Sequence, residues 1–292
     1  MLTKNLVKRN FIHFALLLGA TLLLLSACDS GNNNPDGSAA ATPTSATVNS
    51  ASAIIRHSPS GTVELMWDHT SHVLTVHMAL TGLTPKSTHP AHINSGSCKS
   101  EGKLVYDLSA VKTTQIGFAD VITKVKNVTS GIPETGWYVD VSNGPGMSVS
   151  NQSMPITCAN VFNPSASPRS SQNVQTTLAT SFAPNQAVSG DAQLTVDNSK
   201  LTVELNVKGL VPNSKHMAHI HTGSCASQGP IKYDLKPVIA NAAGDGTSMT
   251  IIPNISSVPR NGWYVNIHLG AGSLKSQTDN DPFACGDITS LH

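Results

Sequence analysis

The residues best suited to chemistry are histidines in one short run, His216-Met217-Ala218-His219-Ile220-His221, followed by Thr222-Gly223-Ser224-Cys225. Side chains alternate across an extended strand, so His219 and His221 point to the same face. Two imidazoles placed this way form half of a metal site, and a third nitrogen from a neighbouring strand completes it. The best third ligand is His268, at the end of Trp263-Tyr264-Val265-Asn266-Ile267-His268. Alternation puts His268 on one face with Tyr264 and Asn266, opposite Trp263, Val265 and Ile267. The competing reading makes the pair ordinary polar surface residues of a β protein. No Ser-His-Asp spacing, phosphate loop or carboxylate pair offers a rival chemistry.

The elements that must position these histidines read as short strands. Leu201-Thr202-Val203-Glu204-Leu205-Asn206-Val207 places apolar residues on one face at period two. Asp197-Asn198-Ser199, Pro212-Asn213-Ser214 and Gly244-Asp245-Gly246 mark turns between such runs. No amphipathic helix of three turns is expected anywhere. The fold class is therefore all-β, an antiparallel sandwich or barrel.

The chain also repeats itself. Ala91-His92-Ile93 matches Ala218-His219-Ile220, Gly96-Ser97-Cys98 matches Gly223-Ser224-Cys225, and Tyr106-Asp107-Leu108 matches Tyr233-Asp234-Leu235, at a constant step of 127 residues. Gly136-Trp137-Tyr138-Val139 matches Gly262-Trp263-Tyr264-Val265 after one deletion. A self-match of this length predicts a duplicated domain, with a first copy over 46–163, a Ser-, Asn- and Pro-rich linker over 164–173 and a second copy over 174–292. Cys98 and Cys158 in one copy, and Cys225 and Cys285 in the other, share a spacing of 60 residues. Four cysteines allow three pairings. The duplication favours Cys98 with Cys158 and Cys225 with Cys285, each closing a loop that contributes roughly 4 kcal/mol in the chain-entropy model.

Residues 1–28 read as an export signal, with Lys4, Lys8 and Arg9 ahead of an apolar run from Phe11 to Leu25. Leu25-Ser26-Ala27-Cys28 resembles the lipobox of bacterial lipoproteins, which implies lipidation of Cys28 and an extracytoplasmic protein held at the membrane by that anchor. Residues 29–45, rich in Asn, Gly, Ser, Ala, Thr and Pro, suit a flexible tether. Charged residues make up 12% of the chain and the formal net charge is +1, which excludes a basic face for nucleic acid.

The segment from Gly209-Leu210 to Pro230, with His216, His219, His221, Cys225 and Gly229-Pro230, is similar to the copper-binding segment of copper/zinc superoxide dismutases. Val265-Asn266-Ile267-His268 resembles the strand bearing a further copper ligand of that family, and Ala284-Cys285-Gly286-Asp287-Ile288 resembles its second disulfide arm. The same residues also resemble the CHRD domain, through Ala218-His219-Ile220-His221-Thr222-Gly223, the following Gly229-Pro230, and Tyr264 to His268. Both resemblances imply an antiparallel β-sandwich. The dismutase resemblance implies that His219, His221 and His268 hold one copper per chain, and that His216 orients the site. It also meets departures: Ile231 stands where that family has the histidine bridging copper and zinc, no zinc ligand set follows, and Pro282 replaces the arginine that guides superoxide. Zinc is therefore not expected, and enzymatic dismutation is left open.

In the first copy Asn94 and Ser142 replace two of the three ligands, which leaves a structural or spacer domain. His69, His72 and His77 read as solvated strand and turn residues, and Trp137 and Trp263 as core aromatics rather than a carbohydrate platform. The leading expectation is a lipid-anchored copper-binding protein with at most weak redox activity. The alternatives are a CHRD-like binding or matrix module with structural histidines and a protein or polysaccharide partner, and a copper-only superoxide dismutase.

Overall fold

Alternation in the sequence becomes burial in the computed structural model, which describes residues 47–146, 150–179, 188–272 and 274–290. In the strand Lys200–Lys208, Leu201, Val203, Leu205 and Val207 are buried while Lys200, Glu204, Asn206 and Lys208 face solvent. Val73–Thr81 repeats the pattern with Leu74, Val76, Met78 and Leu80 inward. Among the described residues the two helices, Ser150–Ser153 and Gln277–Asn280, are single turns. The molecule is all-β, built of curled antiparallel sheets in a sandwich-like arrangement. The export signal, the tether and Cys28 lie outside the described residues.

Two four-stranded sheets are built mostly of first-copy residues. One runs Pro155–Val161, Trp137–Ser142, Ala91–Ser97, Ser100–Asp107; the other runs Gln172–Leu178, Ser60–Asp68, Val73–Thr81, Ala119–Val125. One curled 11-stranded sheet is built mostly of second-copy residues, and in it Ala218–Gly223 lies between Gln228–Asp234 and Trp263–His268.

The sheets do not follow the copy boundaries at 46 and 174. The strand Ser50–His57 pairs with Ser189–Asp197 on one side and with Pro282–Asp287 on the other, both in the second copy. Reciprocally, Gln172–Leu178 pairs with Ser60–Asp68 of the first copy, so Gln172 and Asn173 are ladder residues where a linker was expected. The cores follow the exchange. Ala51, Ala53 and Ile55 pack in the second-copy core, and Val174 and Leu178 in the first. Local alternation specifies that a strand forms but not which sheet edge receives it. At the corner Ser58-Pro59, the Ser58 N–H donates to Phe283 O (2.9 Å) and its hydroxyl to Gly82 O (3.2 Å), so the chain passes from one sheet to the other within two residues. Pro59 has no N–H to extend either ladder.

Disulfides join Cys98 to Cys158 and Cys225 to Cys285, each with Cα atoms 5.9 Å apart. Such bonds persist in oxidising compartments, which fits an extracytoplasmic location. No helix among the described residues is long and apolar enough to cross a membrane.

Candidate metal centre

Strand register brings the three histidines together. His219 pairs with Asn266 and His221 with Tyr264 across the Ala218–Gly223 and Trp263–His268 strands, and His268 extends one alternation step beyond Asn266. The ring centroids lie 5.7 Å apart for His219 and His221, 5.0 Å for His219 and His268, and 5.8 Å for His221 and His268. All three are buried, with Tyr264 stacked against the His221 ring at 5.0 Å. Both faces of the His268 strand are therefore enclosed: Val265 and Ile267 in the core, and Tyr264, Asn266 and His268 beneath the site.

Hydrogen bonds decide which nitrogens are left to act as ligands. His221 Nδ1 lies 3.0 Å from Gly229 O and His268 Nδ1 lies 2.7 Å from Asn280 O. A carbonyl only accepts, so each Nδ1 carries the proton and each Nε2 keeps its lone pair. In His219 it is Nε2 that faces a carboxylate, 3.5 Å from Asp234 Oδ1, which leaves Nδ1 as the lone pair. His219 Nδ1, His221 Nε2 and His268 Nε2 are buried without a hydrogen-bond partner. Orphaned buried polar atoms of this kind call for an explanation. One ligand atom from each residue lies within 4.8 Å of the others. Metal–imidazole bonds of about 2.0 Å draw such nitrogens to within about 4 Å, so side-chain adjustments of less than about 1 Å complete a three-nitrogen set.

The imidazoles are held in their neutral, ligating form. Burial lowers the His219 pKa to about 4, with His221 adding to the effect and Asp234 opposing it. Burial lowers His268 to about 3, against the hydrogen bond to Asn280 O. His221 is lowered by burial, partly offset by Gly229 O. Imidazoles near pH 7 therefore present lone pairs rather than charges, which suits borderline metals such as copper.

His216 does not touch the ligand rings through its own nitrogens. Its Nδ1 donates to His268 O at 3.0 Å and its Nε2 meets Ser214 Oγ at 2.8 Å. The counterpart His89 makes the same pair of contacts, to Ser142 O at 3.0 Å and Ser87 Oγ at 2.7 Å. This device ties the end of the Trp263–His268 strand in place, and the first copy keeps it without any ligand there.

The site opens into a pocket of about 220 Å³ whose lining includes His221, His268, Gly229, Pro230 and Ile231. Ile231 faces His221 in the strand register, and it supplies no ligand atom where a bridging imidazole would be needed. Thr84, Pro85, Gln228 and Asn280 complete the lining. None of these four stands out in the sequence, since an ordinary polar or turn residue acquires this role only through packing.

In the first copy the equivalent positions hold His92, Asn94, Asp140 and Ser142. Asn94 Nδ2 donates to Asp140 Oδ1 at 2.8 Å, and His92 Nδ1 lies 3.7 Å from the same oxygen. The bond to Asp140 raises the His92 pKa, the opposite of the second copy. A carboxylate thus stands near this ring where the second copy has Asn266. His77 Nε2 meets Asp120 Oδ1 at 2.6 Å, His69 Nδ1 lies 3.3 Å from Ser171 Oγ, and His72 stacks on Trp67 at 6.2 Å, so these three make separate contacts. Trp263 is half-buried with its edge to Tyr233 at 5.5 Å, and Trp137 likewise with Tyr106 at 5.6 Å.

An all-β chain with a buried histidine cluster is the class that the fold and site define. The CHRD domain profile matches residues 168–272, most of the second copy together with the exchanged strand Gln172–Leu178. Among solved structures, the crystal structure of the clock protein EA4 aligns over 36% of this chain and 88% of its own, at 19% identity and a TM-score of 0.28. No curated protein matches.

Proposed function

We propose that this chain is an extracytoplasmic copper-binding protein, tethered to a membrane through Cys28, whose second copy binds one copper through His219 Nδ1, His221 Nε2 and His268 Nε2. The observation that carries the reading is the set of three buried nitrogens left without partners, two of them on imidazoles whose other nitrogen is committed to a backbone carbonyl. Copper at such a site supplies one-electron redox chemistry. The chain's own residues hold the imidazoles neutral and leave His221 and His268 facing the pocket. The pocket lining includes no lysine or arginine to draw in an anion, which supports a reading with at most weak redox turnover. Ile231 in place of a bridging ligand supports a single metal and no zinc.

The test is copper titration of metal-free protein spanning residues 46–292. One equivalent bound by the parent, and strong loss of affinity in each of His219→Ala, His221→Ala and His268→Ala, is the expected result. Failure of the parent to bind copper at neutral pH overturns the reading.

The CHRD match favours a second reading, a non-enzymatic binding module for a protein or polysaccharide in which the histidines are structural. Under it the three alanine variants lose stability but the parent shows no copper-dependent change. Leu25-Ser26-Ala27-Cys28 supports the membrane tether. Lipid labelling of the full chain, abolished by Cys28→Ala, is the result that supports it.

A further inference from the structure

We infer that the first copy's turn at Gly82–Ser87 is the outer wall of the second copy's metal pocket and positions two of its three ligands, an inference that rests on the copper reading above. Thr84 and Pro85 line the same pocket as His221 and His268. The turn is clamped at two points. Leu83 O accepts from Gln228 Nε2 at 2.9 Å, and the Thr84 hydroxyl donates to Asp281 Oδ1. Gln228 N also donates to Ile116 O at 3.2 Å, so the first copy grips this residue by side chain and backbone. A third contact secures the flank, where Gln277 accepts from Thr88 N at 3.2 Å and donates to Thr88 O at 2.8 Å.

The gripped residues are the immediate neighbours of the two carbonyls that set the ligand tautomers. Gln228 precedes Gly229, whose carbonyl holds His221 Nδ1, and Asp281 follows Asn280, whose carbonyl holds His268 Nδ1. Thr84, Gln228 and Asp281 are all buried, so these contacts exchange with water poorly and fix geometry well. Outer partners that orient metal-binding imidazoles typically change metal affinity 10- to 100-fold when removed.

The side-chain chemistry of the clasp is not repeated in the other direction. At the repeat positions equivalent to Thr84, Gln228 and Asp281 stand Val211, Glu101 and Met154, whose side chains cannot reproduce the same donors and acceptors. The copy that lost its own ligands therefore serves as a fixed wall for the copy that kept them. With Pro85 and Thr84 beside Pro230 and Ile231 in a pocket of about 220 Å³, a metal held by His221 and His268 would be reached most easily by ligands of a few atoms.

Thr84→Val and Gln228→Leu each remove one clamp and leave all three ligands in place. In the metal-free parent, ¹⁵N spectra should show His221 and His268 solely as Nδ1–H tautomers. Gln228→Leu should mix the His221 tautomers and Thr84→Val those of His268. Copper affinity should fall about 10-fold in each, and transfer of copper to a bulky chelator should quicken. Unchanged tautomers with affinity within twofold of the parent overturn the inference. A parent that binds no copper defeats the proposed function instead, while the tautomer measurement still decides the positioning role. If one variant fails to fold, the other decides alone, since each clamp is read at a different histidine.

Discussion

Leu194 and Ala51 face each other across an antiparallel ladder although they come from opposite copies of the repeat, and both are buried in the second-copy core. A fragment of residues 174–292 therefore lacks a central strand. It would expose the edges of Ser189–Asp197 and Pro282–Asp287 and lose Ala51, Ala53 and Ile55 from its core. That fragment is expected to aggregate or remain unfolded by circular dichroism, and a peptide of residues 46–59 added in trans to restore strand signal. In the whole chain, Ile55→Ala should cost about 2–5 kcal/mol in denaturant titration. A fragment that melts as high as the whole protein would show the exchange to be dispensable.

Much of this architecture is legible in the sequence, and the exchange is not. Leu201, Val203, Leu205 and Val207 announce a strand and its buried face through their spacing alone. Ala51, Ala53 and Ile55 announce a strand equally well, but Val174 and Leu178 announce an equivalent one, and nothing local assigns either to a sheet. The site divides the same way. His219 and His221 share a face because of strand geometry, whereas their lone pairs are set by Gly229 O and by the approach of Asp234, and backbone carbonyls leave no signature in a sequence.

The metal-free protein should lose stability as pH falls below about 6.5, the unperturbed histidine value. His89 and His219, each lowered to about 4, and His268, lowered to about 3, are neutral in the fold. Between those values and about 6.5 the unfolded chain binds more protons, so acidification favours unfolding. His216 and His221, also lowered, act in the same direction. Asp281, raised by burial, and His92, raised by Asp140, act in the opposite direction but are outnumbered. Melting temperatures from pH 7.5 to 5 should decline, with a shallower slope in His268→Ala. A melting temperature independent of pH across that range contradicts the neutral cluster.

His216→Ala removes a donor to His268 O and leaves that buried carbonyl short of a partner. A loss of about 1–3 kcal/mol is expected from the unsatisfied group, and His89→Ala should cost a similar amount through Ser142 O. Urea titration checks both. Equal stability of His216→Ala and the parent would mean that the end of the Trp263–His268 strand is held by its ladder alone.

The first copy offers the sharpest test of what makes the site. His92 pairs with Asp140 and Asn94 with Tyr138, in the same register as His219 with Asn266 and His221 with Tyr264. Gly96 and Gly223 share nearly the same left-handed φ, 101° and 102°, so the two corners match in backbone. What differs is side-chain identity: Asn94 and Asp140 satisfy each other, and Ser142 stands in the place of His268. The triple variant Asn94→His, Asp140→Asn, Ser142→His restores three imidazoles and removes the carboxylate that now raises the His92 pKa. Gly102 and Ser153 are the repeat counterparts of Gly229 and Asn280, and the backbone around Ser153 matches, Asn143 N donating to Met154 O and Gly144 N to Gln152 O as Leu269 N does to Asp281 O and Gly270 N to Asp279 O. Copper per chain, measured after desalting, should rise from one to two, with the second equivalent bound more weakly because Glu101 and Met154 do not repeat the side-chain clamps that Gln228 and Asp281 make with the turn at Gly82–Ser87. A folded triple variant that still binds one copper would show that three histidines in register are insufficient, and that the carbonyls and walls around His221 and His268 are as much a part of the site as the ligands.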